Sequence, residues 1–264
     1  MKYFIDCEFL EGKQDKRLFG IKVGEIKPTI DLISIGIVCE DGREYYAISK
    51  DFNLKEAWNR YDIKRERVSG NARNYLGDYV DKKVYWIRDN VLQVIFNDMC
   101  SLEFDRTGIT HYQFEYSDFK ELLEIHGKSN KQIAEEILEF VYNFAVTGYP
   151  KENTDKIVPK DIEFYGYYSD YDWVVFCWLF GYMKDLPKGF PMYCIDLKQE
   201  LDRVVSNKDL SVPDGLGNLV KIPNTNNKLD IVKRLSNYPK QTVEHSSIHD
   251  ARFNRDLYNF LKTL

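Results

Sequence analysis

The chain has 264 residues, of which 44% are hydrophobic and 30% charged, and its formal net charge is −5. This composition is ordinary for a globular protein, while the acidic balance excludes a non-specific nucleic-acid coat protein, since such proteins neutralise many phosphates with Lys and Arg. It does not exclude a nuclease, because a carboxylate active site is itself acidic and bound metal ions reverse its local charge.

The first predicted elements are three antiparallel strands. Residues 2–9 open with an apolar run, and residues 30–39 (IDLISIGIVC) are rich in Ile and Val, so both stretches predict buried strands. A third strand is predicted over residues 44–49 (EYYAIS), just after Asp41-Gly42. Asp-Gly between two strand-like runs is a strong hairpin signal, so the second and third strands are expected to pair.

The second half of the chain alternates helices and strands. Apolar residues at helical spacing predict helices, and short runs of apolar and aromatic residues predict strands. The predicted helices cover residues 129–144, 173–183, 197–205 and 246–261, and the predicted strands cover residues 161–168 and 192–196. This order predicts an α/β fold with a mixed sheet flanked by helices, and in outline it resembles a ribonuclease H-like domain.

Two stretches, residues 10–28 and about 53–126, are longer than this plan requires. We interpret them as insertions in a single domain spanning residues 1–264, and insertions of this length are usually functional or mobile. Within the second stretch, residues 54–67 and 86–100 predict helices.

Three clusters of basic residues occur in the chain. They are Lys64, Arg65 and Arg67, then Lys82 and Lys83, and then Lys128 and Lys131. Such clusters are mostly solvated helix faces, so they indicate phosphate contact only weakly.

The cysteines and the N-terminus indicate a cytoplasmic protein. The five cysteines form no CxxC pair and no cluster with His, so neither a zinc site nor a disulfide framework is predicted. The N-terminus lacks the basic and then apolar plan of a signal peptide, and no apolar run approaches the length of a membrane span. We therefore expect a soluble protein with no membrane partner.

Two carboxylates, Asp6 and Glu8, lie on one face of the first predicted strand. Side chains at positions i and i+2 of a strand point the same way, so these two anions would repel each other unless a cation lay between them. Hard divalent metals such as Mg²⁺ bind carboxylate oxygens, which favours a metal site. The Asp-x-Glu pattern alone is a weak signal, because it recurs at Asp161 and Glu163.

Further candidate ligands follow later elements. Asp172 lies where the strand ending near residue 168 passes into a helix, and Asp170 competes with it for the same role. His245 precedes Asp250 by five residues at the start of the last helix, a spacing that no other His and Asp share in this chain. Structural readings remain open: Asp172 could cap its helix, Asp250 could favour the helix dipole, and His245 could be a surface loop residue.

These residues, in this order, resemble the three exonuclease motifs of the DEDDh superfamily. The closer resemblance is to the mycobacterial-type polyadenylate-preferring 3′-exoribonuclease AS family. It covers well under half of the chain, and the motifs that carry it are YFIDCEF (3–9), TIDLISIGIVCEDGREYYAIS (29–49), YDWVVFCWLFG (171–181) and HSSIHDARF (245–253). The two insertions and most of residues 184–240 depart from the compact family pattern, which leaves the substrate preference open.

The resemblance implies a role for each motif residue. Asp6 would contact both of two divalent ions, Mg²⁺ or Mn²⁺, Glu8 and Asp250 would complete one site, and Asp172 would contribute to the other. Such a pair of ions stabilises the attacking and the leaving oxygen of an in-line displacement. His245 would act as general base on the attacking water, because imidazole exchanges protons near neutral pH. Phe9, which we expect at the end of the first strand, could stack on the terminal base.

The resemblance therefore predicts a 3′-5′ exoribonuclease that releases nucleoside 5′-monophosphates from RNA 3′ ends. DNA is the nearest alternative substrate, because the metal chemistry does not itself select the sugar. A second class of function is a nucleic-acid-binding or interaction protein that keeps the exonuclease scaffold and acts through its insertions. A homodimer is expected from the resemblance.

Overall fold

The computed structural model of the chain describes residues 1–19, 21–67, 79–109, 111–142, 161–207, 210–213, 219–223 and 225–264. Two compact units are present. The first unit consists of Met1–Phe9, Leu32–Asp51 and Lys128–Leu264, and the second consists of Leu10–Asp31 and Phe52–Gly127. The second unit contains both predicted insertions, and the assignment of one domain with two insertions stays a prediction.

A mixed five-stranded sheet forms the centre of the first unit, as the sequence predicted. Its strand order is β5-β4-β1-β8-β9, and these strands are β1 (Lys2–Gly12), β4 (Thr29–Cys39), β5 (Glu44–Ile48), β8 (Glu163–Gly166) and β9 (Ile195–Asp196). The predicted hairpin is confirmed, since β4 pairs antiparallel with β5. On the other side, β1 pairs parallel with β8, and β8 pairs parallel with β9. The strands β8 and β9 are shorter than predicted.

Five α-helices belong to the first unit within the described residues. They are α4 (Asn130–Tyr142), α5 (Asp170–Leu179), α6 (Leu197–Val205), α7 (Lys228–Lys233) and α8 (Ser247–Leu261). All four helices predicted for this half are confirmed, with the last residues of the first prediction, 143 and 144, outside the described residues. Helix α5 begins three residues earlier than predicted and ends at Leu179, so Asp170 and Asp172 lie in its first turn. No helix in the described ranges has the length and apolarity needed to cross a membrane.

A close contact between β4 and α8 fixes the start of the last helix. A Cβ atom placed on Gly36 would lie 2.2 Å from the carbonyl oxygen of Ser247, so only glycine allows this approach. The hydroxyls of Ser34 and Ser247 lie 3.1 Å apart in the same buried contact. Further along α8, the Asn254 amide donates a hydrogen bond of 2.9 Å to the carbonyl oxygen of Ile5. The first turn of α8 is therefore held against the central strands.

The second unit has its own strands, helices and core. Its elements are the hairpin β2 (Asp15–Leu18) and β3 (Ile21–Glu25), helix α1 (Leu54–Asn59), the hairpin β6 (Asp62–Arg67) and β7 (Tyr79–Val84), α2 (Gln93–Thr107) after a π-helical turn (Ile87–Leu92), and α3 (Tyr116–His126). The prediction of a helix over 86–100 is confirmed in substance. Leu92, Met99 and Phe119 are fully buried in its core, so this unit has the burial expected of a folded body.

The predicted helix over 54–67 is wrong beyond residue 59. Arg60 takes an extended conformation, and its guanidinium donates hydrogen bonds to the carbonyl oxygens of Glu11 and Lys13. The following residues form β6, which pairs with β7 over its full length. Pairing with a strand more than ten residues away overrides the local helical preference of this charged segment, because strand formation depends on partners that a local pattern does not reveal.

Candidate active site

Three of the predicted carboxylates meet at one point of the first unit. Asp6 and Glu8 project from the same face of β1, and Asp250 projects from the first turn of α8. One carboxylate oxygen of each lies within 4.8 Å of the others. Glu8 and Asp250 are each only 9% exposed. Glu8, the nearer of the two strand acids in the sequence, precedes Asp250 by 242 positions. The fold therefore brings together, at the central strand of the sheet, acids that are far apart in the chain.

The fourth carboxylate, Asp172, is held against β1 by its own contacts. Its Oδ1 accepts a hydrogen bond of 2.7 Å from the backbone N–H of Cys7, and the residue is 7% exposed. The turn before α5 packs tightly on the end of β8, because a Cβ on Gly166 would lie 2.6 Å from the Cβ of Ser169, and the same Cβ would lie 3.2 Å from the Ile5 carbonyl oxygen of β1. Its competitor, Asp170, is exposed.

A cavity of about 490 Å³ connects these groups. All the residues to which the resemblance gives a role line it: Asp6, Glu8, Phe9, Asp172, His245 and Asp250. Asp170 is not among the lining residues. His245 lies on the loop that enters α8 and is half-buried, with φ +61, in the left-handed region that His tolerates better than most residues. The Asp250 carboxylate accepts hydrogen bonds from the Gln241 side chain and from the backbone of His245.

Phe9 lines the cavity, but the prediction that it lies at the end of the first strand is wrong. The first strand does not end there but continues to Gly12. Leu10 is fully buried, and burying this side chain keeps the chain extended past Phe9. The Phe9 ring makes an edge contact with Tyr171, with centroids 5.9 Å apart.

Sequence reasoning missed several residues of the cavity wall. They include Lys233 at the end of α7, then Tyr238 and Gln241 in the segment before α8, and Tyr167 after β8. The stretch 228–242 has neither strand alternation nor a motif that would mark it as part of a site. Only the folded chain places these side chains beside the carboxylates, and Lys233 adds a positive charge to an otherwise acidic wall.

The carboxylates of this cavity hold protons more tightly than ordinary carboxyl groups. Burial raises the pKa of Asp6 well above its usual range, and the charges of Asp172, Glu8 and Asp250 raise it further. Burial together with the charge of Asp250 raises the pKa of Glu8 to about 8. Burial also raises the pKa of Asp172, to about 7. Crowded, buried carboxylates are unfavourable as free anions, and their oxygen donors fit a hard divalent cation that would neutralise them.

The metal-free protein is expected to lose stability as the pH rises. The folded pKa of Glu8 is about 8, against an ordinary value of 4.5. Below the unfolded pKa, the Glu8 carboxyl is protonated in both the folded and the unfolded protein. Between about pH 5 and pH 8 only the folded protein keeps this proton, so rising pH favours the unfolded protein. Across this pH range, with chelator present, we expect the free energy of unfolding to fall by about 3 kcal/mol. In a thermal unfolding measurement this corresponds to a fall of about 6–12 °C in the midpoint.

A matched pair of variants checks this pH dependence. Glu8→Gln removes one titrating group and should flatten the profile, whereas Asp170→Asn changes an exposed carboxylate of α5 and should leave it unchanged. A metal-free stability that is constant or rises across this range would contradict the proposed repulsion among the carboxylates.

Comparison with known proteins gives two relatives. Two curated proteins of Mycobacterium tuberculosis, from strains CDC 1551 / Oshkosh and ATCC 25618 / H37Rv, are each named a 3′-5′ exoribonuclease. Each is 27% identical to this chain over 199 residues, which is 75% of this chain and 73% of the relative. No family model matches the chain.

Proposed function

We propose that this protein is a metal-dependent 3′-5′ exoribonuclease of the DEDDh type, allied to the polyadenylate-preferring AS branch, that releases nucleoside 5′-monophosphates. The observation that carries the proposal is the group of carboxylate oxygens of Asp6, Glu8 and Asp250, within 4.8 Å of one another. Asp172 and His245 line the same cavity. The two relatives named as exoribonucleases support an exoribonuclease activity and therefore an enzyme.

The carboxylates would hold two divalent cations, Mg²⁺ or Mn²⁺. Asp6, Glu8, Asp172 and Asp250, whose side chains line the cavity, would hold them through their carboxylate oxygens. When bound, such ions stabilise the charge on the attacking and leaving oxygens of a phosphodiester. We assign this role to Asp172 rather than Asp170 because Asp172 is buried in the cavity wall and fixed by its hydrogen bond to Cys7.

The other side chains would position the strand end and move the proton. His245 would take the proton of the attacking water, and its contact with Asp250 keeps it at the cavity. Phe9, braced by the ring of Tyr171, would stack on the terminal base. Lys233 would offer a positive charge to a phosphate of the strand, which an acidic cavity otherwise repels.

Digestion of 5′-labelled single strands tests this function. With Mg²⁺ or Mn²⁺ we expect a stepwise ladder that starts at the 3′ end of RNA, and with chelator no shortening at all. RNA should be shortened faster than DNA of the same sequence, since contacts to the 2′-OH distinguish the two. Equal or faster shortening of DNA would favour a DNA exonuclease. Binding without shortening of either strand would favour a binding protein on an exonuclease scaffold.

A further inference from the structure

A second cavity, of about 750 Å³, lies in the second unit. Its wall is polar and carries more positive than negative charge. The cations are Lys22, Lys55, Arg60 and Lys83, and the anions are Asp15 and Glu56. This wall is positive although the chain as a whole has a net charge of −5. It points to an anionic ligand.

Both anions of the wall are already paired. Asp15 lies 2.6 Å from the Lys22 amine, and Glu56 lies 3.2 Å from the Arg60 guanidinium. Lys55 and Lys83 are exposed, and neither forms an ion pair within the part of the chain that the structure describes. Their two amines are therefore the charges that this cavity can offer to a ligand.

Two tyrosine rings stand in the same wall. The ring centroids of Tyr61 and Tyr85 are 5.7 Å apart, and the Lys83 amine lies 4.2 Å from the Tyr61 centroid. Tyr61 is 43% exposed. An aromatic ring next to an unpaired amine matches the two parts of a nucleotide, because the ring can stack on a base and the amine can contact a phosphate.

A second ring beside a cation lies along the hairpin of β6 and β7, although this cation, Arg65, also lies 3.8 Å from the Asp81 carboxylate. The Arg65 guanidinium lies 5.3 Å from the centroid of Tyr79, which is 57% exposed. Alternation along β6 places Ile63 and Arg65 on one face, and the pairing of Ile63 with Lys83 places Lys83 there too. Tyr61, one residue before β6, joins this face through the contact of its ring with the Lys83 amine. Tyr61, Lys83, Arg65 and Tyr79 thus form an aromatic-basic stripe, in which Tyr61 and Arg65 are separated by roughly 13 Å of extended chain.

We propose that the second cavity and the aromatic-basic stripe form a binding site for single-stranded RNA. The site shares no residue with the acidic cavity of the first unit. Lys55 and Lys83 contact phosphates, and Tyr61 and Tyr79 stack on bases. The choice of RNA as the ligand rests on the proposed function. At this second site the enzyme binds a segment of its substrate that is not being hydrolysed.

Binding of the full-length protein to a labelled RNA tests this site. The probe is a fluorescent single strand of about 20 nucleotides, longer than the stripe, measured by anisotropy with chelator so that the strand stays intact. The double variant Lys55→Glu/Lys83→Glu should bind at least about tenfold more weakly and lower the slope of log Kd against log salt by about 1.4, or about 0.7 for each phosphate that is no longer neutralised. Tyr61→Ala should weaken binding by about tenfold.

The opposite face of the same hairpin supplies the control. Lys64 and Lys82 are paired with each other across β6 and β7 and point away from the stripe. The variant Lys64→Glu/Lys82→Glu changes the net charge by the same amount and should bind RNA within about twofold of the unchanged protein, because its side chains lie on the opposite face and solvent ions screen their charges. All these side chains are exposed, so none of the substitutions threatens a core.

Hydrolysis of a dinucleotide, which has no further nucleotides for a second site to hold, separates this proposal from the proposed function. Every variant should cleave it at the rate of the unchanged protein. Equal weakening by both double variants, tighter binding of duplex than of single-stranded RNA, or no RNA binding with chelator would overturn the second site. Failure of the unchanged protein to hydrolyse any RNA would instead overturn the exoribonuclease, whichever way the binding results fall.

Discussion

Replacing Asp6 by Asn is expected to lower RNA hydrolysis by about a thousandfold or more and, at the same time, to stabilise the metal-free protein. The loss of activity follows because Asp6 belongs to the group of oxygens proposed to hold the cations, whose stabilisation of the displacement is worth several kcal/mol. The gain in stability follows because Asp6 is repelled by Asp172, Glu8 and Asp250. An amide of the same shape removes that repulsion.

The other Asp-x-Glu pair of the chain supplies the matched control. Asp161→Asn alters the first acid of the pattern Asp161-x-Glu163, which lies outside the acidic cavity. It should leave both the hydrolysis rate and the response of the unfolding midpoint to Mn²⁺ unchanged, whereas Asp6→Asn should abolish that response. If Asp6→Asn retains more than about a tenth of the activity, or lowers the stability of the metal-free protein, the carboxylates do not act as the proposed cation site.

Local chemistry explains which parts of this fold could be predicted. The hairpin at Asp41-Gly42 is determined by a turn that needs no distant partner: Gly42 takes φ +91, and the Asp41 carboxylate accepts a hydrogen bond from the backbone N–H of Arg43. Helix α6 was predicted with its observed bounds because its cap is also local, since the Asp196 carboxylate accepts from the N–H of Lys198. The pairing of β6 with β7 has no such local signal.

The candidate site shows the same division. Strand alternation places Asp6 and Glu8 side by side, but Asp161 and Glu163 share that spacing, so it is the resemblance to the exonuclease motifs that selected the first pair together with Asp250. Lys233 and Gln241 could not be found from the sequence, because the segment that carries them reaches the cavity only through the tertiary fold. The basic residues of the second unit were expected on a helix face, and the interpretation of Lys83 changes because it lies on a strand, beside a tyrosine ring.

Replacing His245 by Ala is expected to slow hydrolysis by about a hundredfold to ten-thousandfold, the range for removing a positioned general base. Metal binding should change little, because the oxygens of Asp6, Glu8 and Asp250 meet without any ligand from the imidazole. Alanine keeps the backbone contact of residue 245 with Asp250. Residue 245 has φ +61, which Asn adopts more readily than Ala, so His245→Asn should show the same loss of rate with less strain.

Turnover and Mn²⁺ affinity, measured on the same preparations, distinguish a base from a ligand. The neighbouring imidazole of His249 contacts the Thr242 hydroxyl at 3.0 Å and does not line the cavity, so His249→Ala is the control and should retain both properties. The His245 variants should keep a Mn²⁺ affinity within about threefold of the unchanged protein, and their rate should recover partly as the pH rises, because hydroxide then replaces the missing base. A parallel loss of Mn²⁺ affinity would make His245 a metal ligand, and an unchanged rate would remove it from the proton transfer altogether.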